Sequence, residues 1–166
     1  MVLGYDEPRP KKENFSTFLR KLTTGLEIFG QKDISLMIYG SYARGDYVPG
    51  RSDIDSILVF PDDVVIDKKI MAQVSRIIAS AQKGNNIPFQ ASLVDLRTMS
   101  DGRFNSYDPN YKNYFNEEGK ILFGPDYRDA FNFELAKYSD QTALKFNLRR
   151  ARIGLLSSEQ DMKEDY

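Results

Sequence analysis

The stretch that decides the fold is Ile38-Tyr39-Gly40-Ser41-Tyr42-Ala43-Arg44-Gly45-Asp46-Tyr47-Val48-Pro49-Gly50-Arg51-Ser52-Asp53-Ile54-Asp55-Ser56-Ile57-Leu58-Val59-Phe60. An apolar run of strand length, Ile34 to Tyr39, ends directly in Gly40-Ser41, and a second run, Ile54 with Ile57 to Phe60, is closed by Pro61. Gly45, Pro49 and Gly50 between them predict a loop or a short turn of helix. A glycine at a strand end lets a phosphate approach the backbone, and the serine adds a hydroxyl beside exposed N–H groups. Those are the requirements of a polyphosphate tail. Asp53 and Asp55 stand two apart at the start of a strand, so their side chains project to one side while Ile54 points into the core. Two carboxylates converging on one spot repel unless a cation lies between them. Magnesium is the natural occupant, and in a two-metal site ions roughly 4 Å apart activate the attacking oxygen and steady the leaving group. Taken singly, Gly-Ser is a turn and Asp-x-Asp a solvated strand end. Their joint spacing is what points to function.

Working outward, Phe15, Phe18, Leu19, Leu22, Leu26 and Phe29 recur at helical intervals from Asn14, and Gly30 stands where that helix would stop. Ile66, Ile70, Val74, Ile77, Ile78 and Ala81 give a second helical stripe ended by Gly84. Phe89 to Leu96 reads as a third strand. Ser100 to Glu118 predicts a turn and one short helix, and Ile121 to Phe123 is a short apolar piece stopped by Gly124-Pro125. One or two helices are expected between Asp126 and Ser157. The fold class is therefore α+β or layered α/β, a few strands covered by helices. The domain plan is a loose arm over 1–13, a core over 14–97, and a helical extension over 98–166 that completes the fold or the acceptor site.

With 166 residues, 41% hydrophobic and 28% charged, the chain is an ordinary globular sequence able to bury its own core. The formal net charge of −1 gives no global attraction to nucleic acid or anionic membrane, so such binding would need a local patch. There is no cysteine and no histidine. That removes disulfides, thiolate zinc sites, cysteine nucleophiles and imidazole bases, and leaves oxygen ligands for any metal. No apolar run is long enough to span a bilayer and the charged N-terminus lacks a signal core, so a cytoplasmic location is expected.

Gly40-Ser41-x-Ala43-Arg44-Gly45-Asp46 followed by Ser52-Asp53-Ile54-Asp55 and an apolar strand resembles the signature of the DNA polymerase β-type nucleotidyltransferase superfamily. It is most similar to the minimal and aminoglycoside-adenylyltransferase branches. The resemblance implies a small mixed sheet backed by helices with the site on the open face. It also implies transfer of a nucleoside monophosphate from a nucleoside triphosphate, with ATP the expected donor, to an acceptor hydroxyl on a small molecule, protein or RNA, with release of pyrophosphate. On that basis Gly40, Ser41, Arg44 and Ser52 would bind the nucleotide, and Asp53 and Asp55 would bind Mg2+ or Mn2+. The alternative for Arg44 is a surface arginine paired with Asp46.

The family adds a third carboxylate from a neighbouring strand. Asp95 is the one acid on Phe89–Asp95, and strict alternation puts it on the buried side with Phe89, Ala91 and Leu93, leaving Gln90 and Ser92 on the open face. A bulge or the strand's end could redirect Asp95; otherwise Asp101, Glu117 or Glu118 could supply the acid. If none does, Gln90 or Ser92 stands in its place, and the chain is a slow enzyme or a non-catalytic relative that binds nucleotide or a protein partner, as in toxin–antitoxin pairs, where a small helical protein accompanies the domain. A homodimer is the other partner reading. Lys145, Arg149 and Arg152, with Arg150 beside them, would meet phosphates or line a solvated face. The aromatic residues between Phe104 and Phe133 would stack on a ring or pack the core.

Overall fold

A computed structural model describes residues 9–31, 33–100 and 111–133, together with Leu148, Ala151, Arg152 and Leu155. The apolar stripe read from Phe15 onward forms α1 (Lys12–Phe29), which buries Phe15, Phe18, Leu22 and Leu26. The Asn14 side chain accepts the Lys11 N–H at 2.8 Å at its start, and Gly30 ends it in the left-handed region at φ 70°. Then come β1 (Ser35–Tyr39), the short α2 (Gly40–Arg44), β2 (Ile54–Phe60), α3 (Lys68–Gln82), β3 (Phe89–Asp95) and α4 (Leu96–Ser100). Asp67 caps α3 by accepting the Ile70 N–H at 2.9 Å. A helical turn, α5 (Tyr111–Asn113), runs into a π-helical turn at Tyr114–Glu118, then β4 (Lys120–Phe123) and a 3-10 turn at Arg128–Ala130.

The four strands lie in the order β3-β2-β1-β4, with β1 antiparallel to both β2 and β4, and β2 parallel to β3. The parallel pair needs a crossover, and α3 supplies it. The fold is thus α+β with a mixed sheet, as the resemblance implies. β4 comes from beyond residue 97, so the extension contributes the sheet's fourth strand as well as helix. The helix predicted between Asp126 and Ser157 falls largely outside the described residues; Leu148, Ala151, Arg152 and Leu155 are helical.

Alternation along the strands sorts the core into two layers. One face packs Leu36, Ile38, Ile54, Leu58, Phe60, Ala91 and Leu93 under α1 and α3. The other gathers Met37, Ile57, Val59 and Val94 beneath Met99, Phe115 and Phe133. The face that the resemblance leaves open is therefore covered over its far part. The end of that face nearest Asp55 carries the candidate site.

The predicted arm is tied down from Arg9 onward. Pro10 is buried, and the Arg9 stem lies so close to Gly50 that a β-carbon there would sit 3.0 Å from it. Gly124 turns the chain out of β4 at φ +74°, and a β-carbon there would stand 1.8 Å from the Ile34 carbonyl oxygen. Gly124→Ala should therefore lower stability by more than about 2 kcal/mol, because the strain falls on backbone that cannot move aside. A urea midpoint unchanged from the parent would show that this corner can relax. Among the described residues no helix is long and apolar enough to cross a membrane.

Candidate active site

β1 passes into α2 without an intervening loop, because Gly40 adopts φ +74°, a conformation side chains disfavour. A β-carbon at Gly40 would lie 2.6 Å from Asp55 Oδ2. The strand end that offers bare backbone thus stands directly against a carboxylate. The Ser41 carbonyl accepts from the N–H groups of Gly45 and Asp46 at 3.0 and 3.2 Å, which closes α2 into a tight turn. That turn is held against α1 by the stacked rings of Phe15 and Tyr42 at 5.3 Å, and Tyr47 packs on Tyr42 at a tilt, 4.7 Å away. Ser52 closes the following loop: its hydroxyl oxygen accepts the Val48 N–H at 2.9 Å, and its own N–H donates to the Val48 carbonyl at 2.9 Å.

Asp53 is exposed just before β2, and Asp55 is half-buried as its second residue. Burial first, and the neighbouring Asp53 charge second, push the Asp55 carboxyl up to about 6, while Arg44 pulls it the other way. Arg44 is divided between two acids, with Nε 3.3 Å from Asp46 Oδ2 and Nη1 2.8 Å from Glu118 Oε2. These two contacts hold the guanidinium where its charge is felt by Asp55.

The raised Asp55 carboxyl has a consequence for stability. A carboxyl that holds its proton more tightly folded than unfolded contributes stability that is complete below about pH 4 and lost as pH rises through about 6. The full shift must be discounted because the group is partly solvated, leaving about 1–2 kcal/mol. In EDTA, the stability advantage of Asp55→Asn over the parent should therefore grow by that amount between pH 4 and pH 7. Parallel urea-midpoint curves for the two proteins over that range would refute the shift.

Register places Tyr39 opposite Asp55 and Asp55 opposite Gln90, one row across β1, β2 and β3. The neutral amide of Gln90 therefore occupies the β3 position beside Asp55, with Ser92 two residues further along the same face. Asp95, expected as the third acid, is brought elsewhere. It pairs with Phe60 at the opposite end of β3 and accepts from Arg152 Nη1 and Nη2 at 3.3 and 3.4 Å. No bulge breaks the β2–β3 register, so alternation runs unbroken to the strand's end, and Arg152 secures it there by a further bond to the Leu93 carbonyl at 3.2 Å. Arg152 thus ties down β3. Lys145, Arg149, Arg150, Asp101 and Phe104 lie outside the described residues. Among the described residues no three acidic side chains gather in the manner of a complete metal cage.

Glu117 is exposed, whereas Glu118 is turned onto Arg44. Arg128 is a residue that sequence reading missed. Its Nε and Nη2 engage Asp126, and its Nη1 donates to the carbonyls of Phe115, Asn116 and Gly119 at 3.1, 3.4 and 3.2 Å. The aromatic residues of this segment are mainly packing, with Phe115 at the centre of rings from Tyr39, Tyr111, Phe131 and Phe133.

Curated proteins offer no match to the chain. Solved structures with a similar shape include a toxin–antitoxin with AMP-PNP (19% identity, 89% of this chain and 96% of the other, TM-score 0.41). Another is a candidate nucleotidyltransferase from Sulfolobus solfataricus (22% identity, 73% and 93%, TM-score 0.41). A mutant of the toxin–antitoxin MntA–HpeT is similar at 18% identity (89% and 96%, TM-score 0.40). The family model of the nucleotidyltransferase domain matches residues 19–122, most of the chain and all of the Gly40–Asp55 region. With its mixed sheet and its strand-ending Gly40 set against Asp55, the chain belongs to the nucleotidyltransferase domain family.

Proposed function

We propose that the protein transfers a nucleoside monophosphate from a nucleoside triphosphate, ATP foremost, to an acceptor hydroxyl and releases pyrophosphate. The observation that carries this reading is the closeness of Gly40 to Asp55. Bare backbone suited to phosphate lies against a carboxylate whose proton affinity is raised by burial and by the neighbouring Asp53 charge. Asp53 and Asp55 fit a hard cation such as Mg2+ or Mn2+, since both offer oxygen and their mutual repulsion is relieved by one. When bound, the metal neutralises phosphate charge and polarises the phosphorus under attack. Gly40 and Ser41 receive the triphosphate at the start of α2. Arg44 supplies a positive charge to its oxygens, and Ser52 fixes the loop that delivers Asp53. Asp95 has no part in this chemistry. A cytoplasmic location, where nucleoside triphosphates are abundant, belongs to the same reading.

Pyrophosphate release with magnesium, each nucleoside triphosphate and candidate acceptors is the test. The blank is the Asp53→Ala, Asp55→Ala double variant. Release that vanishes in the variant establishes the enzyme.

One observation favours a second reading: Gln90 cannot accept a proton where the family places an acid. A domain that binds magnesium and triphosphate without turning them over, alone, as a homodimer or with a small helical partner, would still be stabilised by the mixture. Stabilisation without release would select that reading, and no stabilisation in any mixture would reject both.

A further inference from the structure

An alcohol must give up a proton to be nucleotidylated, and the groups around Asp55 decide whether one can be taken. The chain has no histidine and no cysteine. Asp53 and Asp55 are assigned to the cation. Among the described residues, Asp95 is held at the far end of β3 by Arg152, and Glu118 is paired with Arg44. The residue beside Asp55 on β3 is Gln90, whose amide takes no proton but can donate two N–H bonds. A carboxylate there would repel an incoming anion, whereas an amide receives one. The same side also carries positive charge. The Ile54 N–H donates to the Pro88 carbonyl at 2.8 Å, so the loop that leads into β2 lies against the start of β3. Arg51 is exposed on this loop. Arg9 is laid along it, with Cβ, Cγ and Cδ 3.0, 3.3 and 3.1 Å from where a β-carbon on Gly50 would stand. Buried Pro10 fixes the arm there while Arg9 stays exposed. Among the described residues neither arginine is in an ion pair, whereas Arg44, beyond the end of β1, is in two. The β3 side of Asp55 thus combines a neutral amide with two cations on the adjoining loop.

We propose that the acceptor is a phosphate monoester, which enters from the β3 side against Gln90 and is drawn there by Arg9 and Arg51. The proposal rests on the nucleotidyl-transfer reading and specifies its acceptor hydroxyl as one carried by phosphorus. Such a group loses its second proton at about pH 6, so at neutral pH it arrives ionised and needs no base. Its two negative charges match two guanidiniums, whose planar forks suit phosphate oxygens. The phosphate oxygen forms its bond to the α-phosphorus. The bond from that phosphorus to the pyrophosphate oxygen breaks, and pyrophosphate leaves with the electron pair. The product is a diphosphate-linked nucleotide, and no proton has to move.

Matched acceptors test this: ribose 5-phosphate against ribose, and glycerol 3-phosphate against glycerol, each with magnesium and ATP. Pyrophosphate release is expected to be about a hundredfold faster with the phosphate member of each pair, the scale of the proton transfer that the alcohols are denied. The product should withstand alkaline phosphatase, because its phosphate is locked in a diphosphate link. A nucleotide placed on a sugar hydroxyl would instead leave a monoester that the phosphatase removes. Arg9→Met and Arg51→Met keep the aliphatic stem and remove the charge. Each should raise the KM for the phosphate acceptor several-fold and leave the stabilisation by magnesium and ATP unchanged. Gln90→Glu should lower transfer to the phosphate by about tenfold or more, through repulsion of like charges. Equal release with the alcohols, or a phosphatase-sensitive product, would overturn the proposal, as would three variants indistinguishable from the parent. No release with any of these acceptors, while magnesium and ATP still raise the melting temperature, would overturn it and leave nucleotide binding standing. Neither release nor stabilisation would overturn the nucleotidyl-transfer reading and this proposal with it.

Discussion

Asp55→Asn is expected to leave a protein that is folded, somewhat more stable than the parent at neutral pH, and inactive. The two effects come from one carboxylate. In the metal-free protein it is half-buried and faces the Asp53 charge, so removing its charge relieves about 1–2 kcal/mol above pH 6. In the working protein the same charge would hold the cation. Magnesium-dependent pyrophosphate release should fall by at least about a hundredfold, since loss of a mere outer partner of a metal ligand already reaches that scale. The rise in melting temperature given by magnesium and ATP should disappear as well. Pyrophosphate release within a few-fold of the parent would remove Asp55 from the mechanism. A variant that is inactive because it is unfolded would show a lowered urea midpoint, the opposite of the gain expected here.

The largest loss of stability is expected from Phe115→Ala. Phe115 is fully buried, and four rings surround it at 5.0 to 6.1 Å. Truncating such a side chain costs about 3–5 kcal/mol through lost burial and the cavity left behind, with the ring pairs adding to it. That is a large part of the stability of a typical domain. Tyr39 leans on this ring and lies opposite Asp55 in the sheet, so nucleotide binding should weaken even where the variant still folds. Tyr114→Ala, next in sequence but 45% exposed, should cost less than about 1 kcal/mol. Urea denaturation of the two variants checks the contrast. A small effect at Phe115 would mean that the second core layer does not hold the π-helical turn in place.

Much of this was legible in the sequence because it depends on local pattern. The α1 stripe from Phe15 to Phe29 and the α3 stripe to Ala81 follow from helical period, and both form where that period puts them. Alternation along Phe89–Asp95 correctly set Gln90 and Ser92 on one face, because a strand's period of two leaves little freedom when one side is buried. Gly40 was legible as a position needing bare backbone. Three things were not legible. The end of β3 at Asp95 with a helix starting at Leu96, the π-helical turn before Gly119, and the covering of the open face by Phe115 and Phe133 all depend on contacts between segments far apart in sequence.

By itself the sequence determined the chemistry available to the chain: oxygen ligands only, two carboxylates at strand spacing, and a glycine where a strand must turn. It also determined the layers, since apolar period fixes which faces must be buried. Only the tertiary structure decided which charges meet. Asp95 and Arg152 are 57 residues apart, and Arg44 and Glu118 are 74 apart. Sequence spacing carries no information about such pairs. They are fixed by strand order, by the register of β2 on β3, and by the tight seating of Gly119 on β1, which together set Asp95 at one end of the sheet and Glu118 at the other, beside Arg44.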